Sequence, residues 1–167
     1  MRRWISSGLT RQALEHAART TVAAAVSLIA ARALGLPEPQ WAAISTMIVT
    51  QSTLGAALTI SGERFAGTIL GASAGALLGS YLDSSALGFA LGVLCLGLVC
   101  PLLHLDRAAY RFAGITLAIV ILVSGNQPAW LIASHRSLEV SLGIVTGLVF
   151  TALWPERDAT PPAAPPR

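Results

Sequence analysis

One unit recurs along the chain: an apolar run about as long as a membrane is thick, closed by a short charged or proline-containing break. The runs cover residues 20–36, 41–60, 65–82, 86–104, 109–124 and 137–154. The breaks are Pro37-Glu38-Pro39, Ser61-Gly62-Glu63-Arg64, Asp83-Ser84-Ser85, Asp106-Arg107 and Gly125-Asn126-Gln127-Pro128. A hydrocarbon core of ~30 Å takes about 20 apolar residues per helix, so the six runs predict six transmembrane helices. Composition agrees. Charged residues make up 11% of the chain and hydrophobic ones 54%, whereas a soluble domain carries ~25% charged residues. Disorder, a nucleic-acid-binding module and an ordinary soluble enzyme are excluded on this ground. The expected fold is an all-α membrane protein.

Arg2 and Arg3 resemble the start of a signal peptide, but the first long apolar run begins only near Thr20 and offers no small-residue cleavage site. It reads as the first transmembrane helix. The chain divides into a cytoplasmic N-terminal segment (1–19), a six-helix transmembrane domain (20–154) and a disordered proline-rich cytoplasmic tail (155–167). Trp130-Leu131-Ile132-Ala133 reads as a separate interfacial stretch before the last helix. Cys95 and Cys100 both read as small buried residues.

Arginines set the expected orientation. Every basic residue is Arg, which with abundant Ala and Gly suggests a GC-rich bacterial genome. Alternate segments outside the membrane hold Arg2, Arg3, Arg11, Arg19, Arg64, Arg107, Arg111, Arg157 and Arg167; the others hold Arg32 and Arg136. Positive charge collects on the cytoplasmic side, so both termini are expected there, in a bacterial inner membrane.

The third and sixth helices share a pattern. Arg64, Gly67, Gly71 and Gly75 align with Arg136, Glu139, Gly143 and Gly147 at an offset of 72. Ala43-Ile44-Ser45 and Ile48-Val49 align with Gly114-Ile115-Thr116 and Ile119-Val120 at an offset of 71. Three helices reverse the chain's direction, so the pattern predicts a 3+3 inverted repeat, as in many secondary transporters.

Gly67, Gly71, Gly75 and Gly79 stand four residues apart on one helical face, and Gly143 and Gly147 do the same in the last helix. Such stripes let helices pack closely in lipid; the alternative is a narrow path lined by backbone. Thr50-Gln51-Ser52-Thr53 is polar within an apolar run, and the Gln51 amide needs either interhelical partners or a wet cavity. Arg64 and Arg111 each begin a helix, where a guanidinium and the positive end of the helix dipole together attract anions. Both read either as topology anchors or as a basic mouth. Glu139 and Glu63 each sit near an arginine; they read as local ion pairs or as carriers of a coupling proton. No phosphate-binding loop, HExxH, GxSxG or CxxC motif is present, so neither an enzyme nor a cofactor or metal site is expected.

The segment from Trp41 to Leu82 resembles the signature of FUSC-like integral membrane transporters, the fusaric-acid-resistance and aromatic acid exporter group, to which plant aluminium-activated malate transporters are similar. The residues that carry it are Pro39-Gln40-Trp41-Ala42, Gln51-x-Thr53-x-Gly55-Ala56-x-Leu58 and Gly62-x-Arg64-x-x-Gly67-Thr68-x-x-Gly71, with Arg136 through Gly143 to Trp154-Pro155 at the close. The resemblance covers roughly residues 10–156. It implies efflux of small organic, often aromatic, carboxylate anions driven by the proton gradient or the membrane potential. Arg64, Arg111, Gln51 and Thr53 are the expected substrate residues, and Glu139 and Glu63 the expected proton-coupling ones. A homodimer and a periplasmic adaptor are the expected protein partners, with no role for nucleic acid. The rivals are an anion channel and a non-transporting scaffold subunit.

Overall fold

Residues 12–81, 86–123 and 127–155 are described by a computed structural model. The expectations for residues 1–11, for the tail from 156 onward, for the Asp83–Ser85 loop and for Gly125-Asn126 fall outside them. Six helices form among the described residues: α1 (Gln12–Ala33), α2 (Gln40–Val49), α3 (Leu54–Tyr81), α4 (Ala86–Leu102), α5 (Arg107–Leu122) and α6 (Ala129–Leu153). No strand occurs among them.

The first connection that differs from expectation is between α2 and α3. The chain turns at residues 50–53, and Ser61-Gly62-Glu63-Arg64 is continuous helix. The polar run expected at mid-membrane is therefore the turn, and the charged pair expected at the turn lies in mid-helix. Thr and Ser made the turn look like helix, while Gly62 and the two charges made helix look like a turn. Packing decides: Arg64 has a buried partner on α2 and does not need water. Similarly, Trp130–Ala133 is the first turn of α6. Pro128 precedes that turn, where a missing N–H costs nothing.

The helices are also less uniform than expected. Among the described residues only α6 is both long and apolar enough to cross a membrane by length and composition. α2, with 10 residues, spans ~15 Å. α4 and α5, with 17 and 16 residues, span about 25 Å each. α1 and α3 are long enough, but α1 carries Glu15, Arg19 and Arg32, and α3 carries Glu63 and Arg64 amid many Gly, Ser and Thr.

Close approaches give the helix directions. A methyl group on Gly67 or Gly71 would collide with the carbonyl of Ala109 or Ala113, and one on Gly75 would lie 2.8 Å from Val120 Cβ. The order rises along both helices, so α3 runs parallel to α5. On α6, a methyl group on Gly143 would strike the Ala42 carbonyl, and one on Gly147 would lie 3.0 Å from Val49 Cγ1. α6 therefore runs parallel to α2. Gly79 lies against Ala129, whereas Ile60 packs with Val140, Ile144 and Leu148, so α3 and α6 are antiparallel. α3 and α6 form the centre, with α5 and α2 on either side and α4 and α1 outermost. α1 and α4 end alike. Gly35 (φ 69°) and His104 (φ 56°) adopt left-handed backbone, and Leu36 N–H and Leu105 N–H reach back to the Ala31 and Cys100 carbonyls at 3.1 and 3.0 Å.

Burial is inverted relative to a soluble protein. Arg19, Arg136, Glu139, Ser27, Ser45, Thr46 and Thr68 are buried, whereas Leu14, Ile29, Leu58, Leu77, Leu94, Leu98 and Leu153 face outward. An apolar exterior of this extent is unsuited to water, while polar groups inside hydrocarbon face the bundle interior. Cys100 is buried, but Cys95 is exposed, contrary to expectation: five positions apart on a helix, they point to different faces.

Candidate functional site

Two arginines lie at the centre, one on each antiparallel core helix. Arg64 of α3 is buried; its Nε and Nη2 donate to Ser45 Oγ of α2 at 3.2 and 3.0 Å. Its guanidinium lies 4.8 Å from the centre of the Phe112 ring of α5. Arg136 of α6 is 1% exposed, and its guanidinium lies 3.8 Å over the Trp41 ring of α2. A cation over an aromatic face is held electrostatically by the ring quadrupole. The two arginines lie within electrostatic reach of each other.

Glu139, one turn beyond Arg136, is fully buried. Its Oε1 accepts the Glu38 backbone N–H at 2.9 Å, and Oε2 lies 3.6 Å from Arg136 Nη1. That separation is an ion pair but too long for a hydrogen bond. Glu38 in turn accepts the Trp41 indole N–H at 2.8 Å, so the Pro37–Pro39 bend is tied to both α2 and α6. Arg136 Nε, Arg136 Nη1 and Glu139 Oε2 have no hydrogen-bond partner among the described residues. Buried polar atoms are rarely left so.

These groups face a cavity of about 450 Å³ lined by Pro37, Glu38, Ile119, Val123, Gln127, Ile132, His135, Arg136 and Glu139. Its volume lies within the ~300–1,000 Å³ range of small-molecule pockets. Its walls are apolar on the α5 side and charged on the α6 side. Among the described residues no cluster of His, Cys, Asp or Glu has the makings of a metal site.

The expected site residues scatter. Arg64 and Glu139 are both in the central layer. Gln51 is in the α2–α3 turn; its amide donates to Ile48 O at 2.9 Å, and its backbone carbonyl accepts Arg19 Nη2 at 2.8 Å. Thr53 is exposed and accepts the Ala56 N–H at 3.3 Å at the head of α3. Eleven residues of helix, ~16 Å, separate it from Arg64. Arg111 is exposed on α5, and Glu63 is half-buried, facing Asp106 at the head of that helix. Arg64 and Arg136 lie inside helices and so drop out of the loop-charge comparison. Among the described residues the exposed arginines are Arg32 on one side and Arg107 and Arg111 on the other. Of the striped glycines, Gly67, Gly71, Gly75, Gly143 and Gly147 are all at close helix contacts, and Gly79 meets Ala129.

Trp41, Phe112 and Ser45 were missed as partners of the arginines. The offset of 71 already aligns Ala43–Ser45 with Gly114–Thr116; extended by two residues it pairs Trp41 with Phe112.

A helical bundle with an apolar exterior and buried, partly unpartnered charges around a cavity is a helical membrane protein with a polar interior site. The chain belongs to the fusaric acid resistance protein-like family, whose model matches residues 22–150. It is 31% identical over 155 residues to the uncharacterized transporter YdhK of Escherichia coli K12, covering 87% of this chain and 23% of that protein. The Salmonella typhimurium YdhK is 28% identical over 84% of this chain and 22% of its own length. The inner membrane protein YeeA of Escherichia coli K12 is 31% identical over 85% of this chain and 41% of its own. The chain thus spans less than half the length of these relatives. No solved structure matches it.

Proposed function

We propose that the chain is a transporter unit of the bacterial inner membrane that moves small organic carboxylate anions, aromatic ones included, outward. The observation that carries this reading is the pair of buried arginines, each over a ring, with Arg136, two of whose guanidinium nitrogens lack a hydrogen-bond partner among the described residues, in the wall of the cavity. Buried cations in a membrane bundle mark substrate or ion pathways. An aromatic carboxylate offers Arg136 a planar anion and offers Ile119, Val123 and Ile132 an apolar body. Family membership and the name of YdhK as a transporter agree with it.

The unit is built, in this reading, as a 3+3 inverted repeat. Several contacts that exchange when α1, α2, α3 are swapped for α4, α5, α6 support it. Gly71 on Ala113 becomes Gly143 on Ala42, Gly75 on Val120 becomes Gly147 on Val49, and Arg64 over Phe112 becomes Arg136 over Trp41. Since α3 and α6 are antiparallel, the relating axis is perpendicular to them and passes near Gly67 and Glu139. Inverted repeats of this type place substrate at the repeat interface, near mid-membrane.

The test is flux in proteoliposomes with benzoate, hydroxybenzoates and malate, with and without an imposed pH gradient. Flux that Arg64→Ala abolishes while insertion is intact is the expected result. Flux unchanged by Arg64→Ala overturns the role of that residue, and no flux from folded, inserted protein favours a scaffold subunit.

A further inference from the structure

We infer that Glu139 is a tethered counter-anion which holds Arg136 while the site is empty, and that an incoming anion replaces it on Arg136 as Glu139 takes up a proton. The inference rests on the anion-site reading above and adds the coupling to it.

Four observations converge. First, at the position matching Glu139 in the other half the chain has Gly67, packed against the Ala109 carbonyl. Arg64 therefore has no carboxylate one turn along its helix; its N–H groups go to the neutral Ser45 hydroxyl. The acid is an addition on one side of a matched pair, so the packing common to both halves does not require it. Second, the Glu139 carboxylate is held on one oxygen only, by the Glu38 N–H, and Oε2 has no hydrogen-bond partner. Third, Arg136 meets that free oxygen at 3.6 Å, beyond hydrogen-bonding range, so the pair is poised and not locked. Fourth, both residues line the same cavity, buried in its wall, so a ligand that enters it and displaces the wall atoms over one of them reaches the other as well.

An anion seated on Arg136 would stand against the Glu139 carboxylate. Two negative charges in contact inside a protein do not both stay ionised. The other charged or titratable groups around Glu139 are His135 and Arg136 on α6, Glu38 in the bend before α2, and Arg64 of α3 behind Arg136. Ile119 and Val123 of α5 bring no charge. Glu38 adds negative charge and lies beside the Trp41 indole, so it cannot replace a lost cation partner. A proton taken up from solution as the anion enters adds to Oε2, Arg136 stays protonated, and the only covalent bond formed is that O–H. Binding thus takes up one proton per anion. The loaded site then carries the same charge as the empty one, so the proton gradient, and not the membrane potential, acts on it. Net movement tends toward the alkaline side, and export by this route needs the acid at higher chemical potential inside.

The experiment is calorimetric titration of the detergent-solubilised full chain with benzenesulfonate between pH 5.5 and 8, in two buffers of different ionisation enthalpy. This probe stays charged throughout, so any pH dependence belongs to the protein. Expected are proton uptake approaching one per anion and an affinity falling by about tenfold per pH unit once Glu139 ionises, with Glu139→Gln binding tightly at every pH and taking up no proton. Proton uptake that persists in Glu139→Gln assigns it to His135 or Glu38 and overturns the inference. So does wild-type binding without uptake, an outcome that is read without the variant. Absence of binding at any pH, in wild type and in Arg136→Ala alike, overturns the anion site itself; binding without uptake overturns only the coupling.

Discussion

Arg64 and Arg136 stand on the two antiparallel central helices, one in each half of the chain, and each lies over a ring supplied by the other half. Arg136 has the Glu139 carboxylate beside it and lines the cavity. Arg64 is buried as well, and two of its nitrogens donate to a hydroxyl. The shared features are those packing needs: glycines where helices touch backbone to backbone, and a cation held over a ring. The unshared ones are Glu139 against Gly67, and Arg19, a buried residue of α1 whose Nη1 and Nη2 donate to the Trp154 and Gln51 carbonyls at 2.8 Å each. The matching position on α4 is apolar. The comparison teaches that scaffold and chemistry are separable here: the glycine contacts recur on α3 and α6, while the charges around the two arginines differ.

Four measurements would sharpen or break the comparison. The largest effect is expected at the backbone contacts. Gly71→Leu and Gly143→Leu each put a side chain into a facing carbonyl, at or beyond the ~3 kcal/mol upper range of overpacking. Both should abolish the monodisperse peak in size-exclusion chromatography; survival of one would show that the two contacts are not equivalent. Next comes Arg64→Ala beside Arg136→Ala. Flux should fall to background in both at neutral pH, with a pH-dependent defect in Arg136→Ala alone. A defect confined to one arginine would limit the pathway to that half. Third, Arg19→Met removes two charge-assisted hydrogen bonds that only the first half makes. Thermal unfolding should show a loss of about 3 kcal/mol, while flux per folded molecule holds. The smallest effect is a gain. His104 is strained where its counterpart Gly35 is not, so His104→Gly should stabilise by about 1 kcal/mol, and Gly35→His should destabilise in the same assay.

Each half is only partly legible in sequence. In the second, Trp130–Ala133 reads as a separate stretch and Arg136 as part of a loop, whereas both lie inside α6. In the first, Thr50-Gln51-Ser52-Thr53 reads as helix because β-branched and hydroxyl residues sit comfortably in membrane helices. Glu63-Arg64 was read as a loop because charges usually leave the bilayer. Nothing local announces that Ser45 and Phe112 wait to receive Arg64. The same blindness sent Gln51 and Thr53 to the site list and left Trp41 off it.

The sequence by itself determined that the chain is helical and suited to a membrane, that six helices form among the described residues, and that the third and sixth share one pattern, because length, hydropathy and spacing are local properties. Only the tertiary structure decided where α2 turns into α3, that Arg64 and Arg136 are buried together, and that Glu139 shares a cavity with Arg136. Those depend on which groups meet across helices, and a buried charge is tolerated only where a partner from elsewhere in the chain offsets its lost hydration.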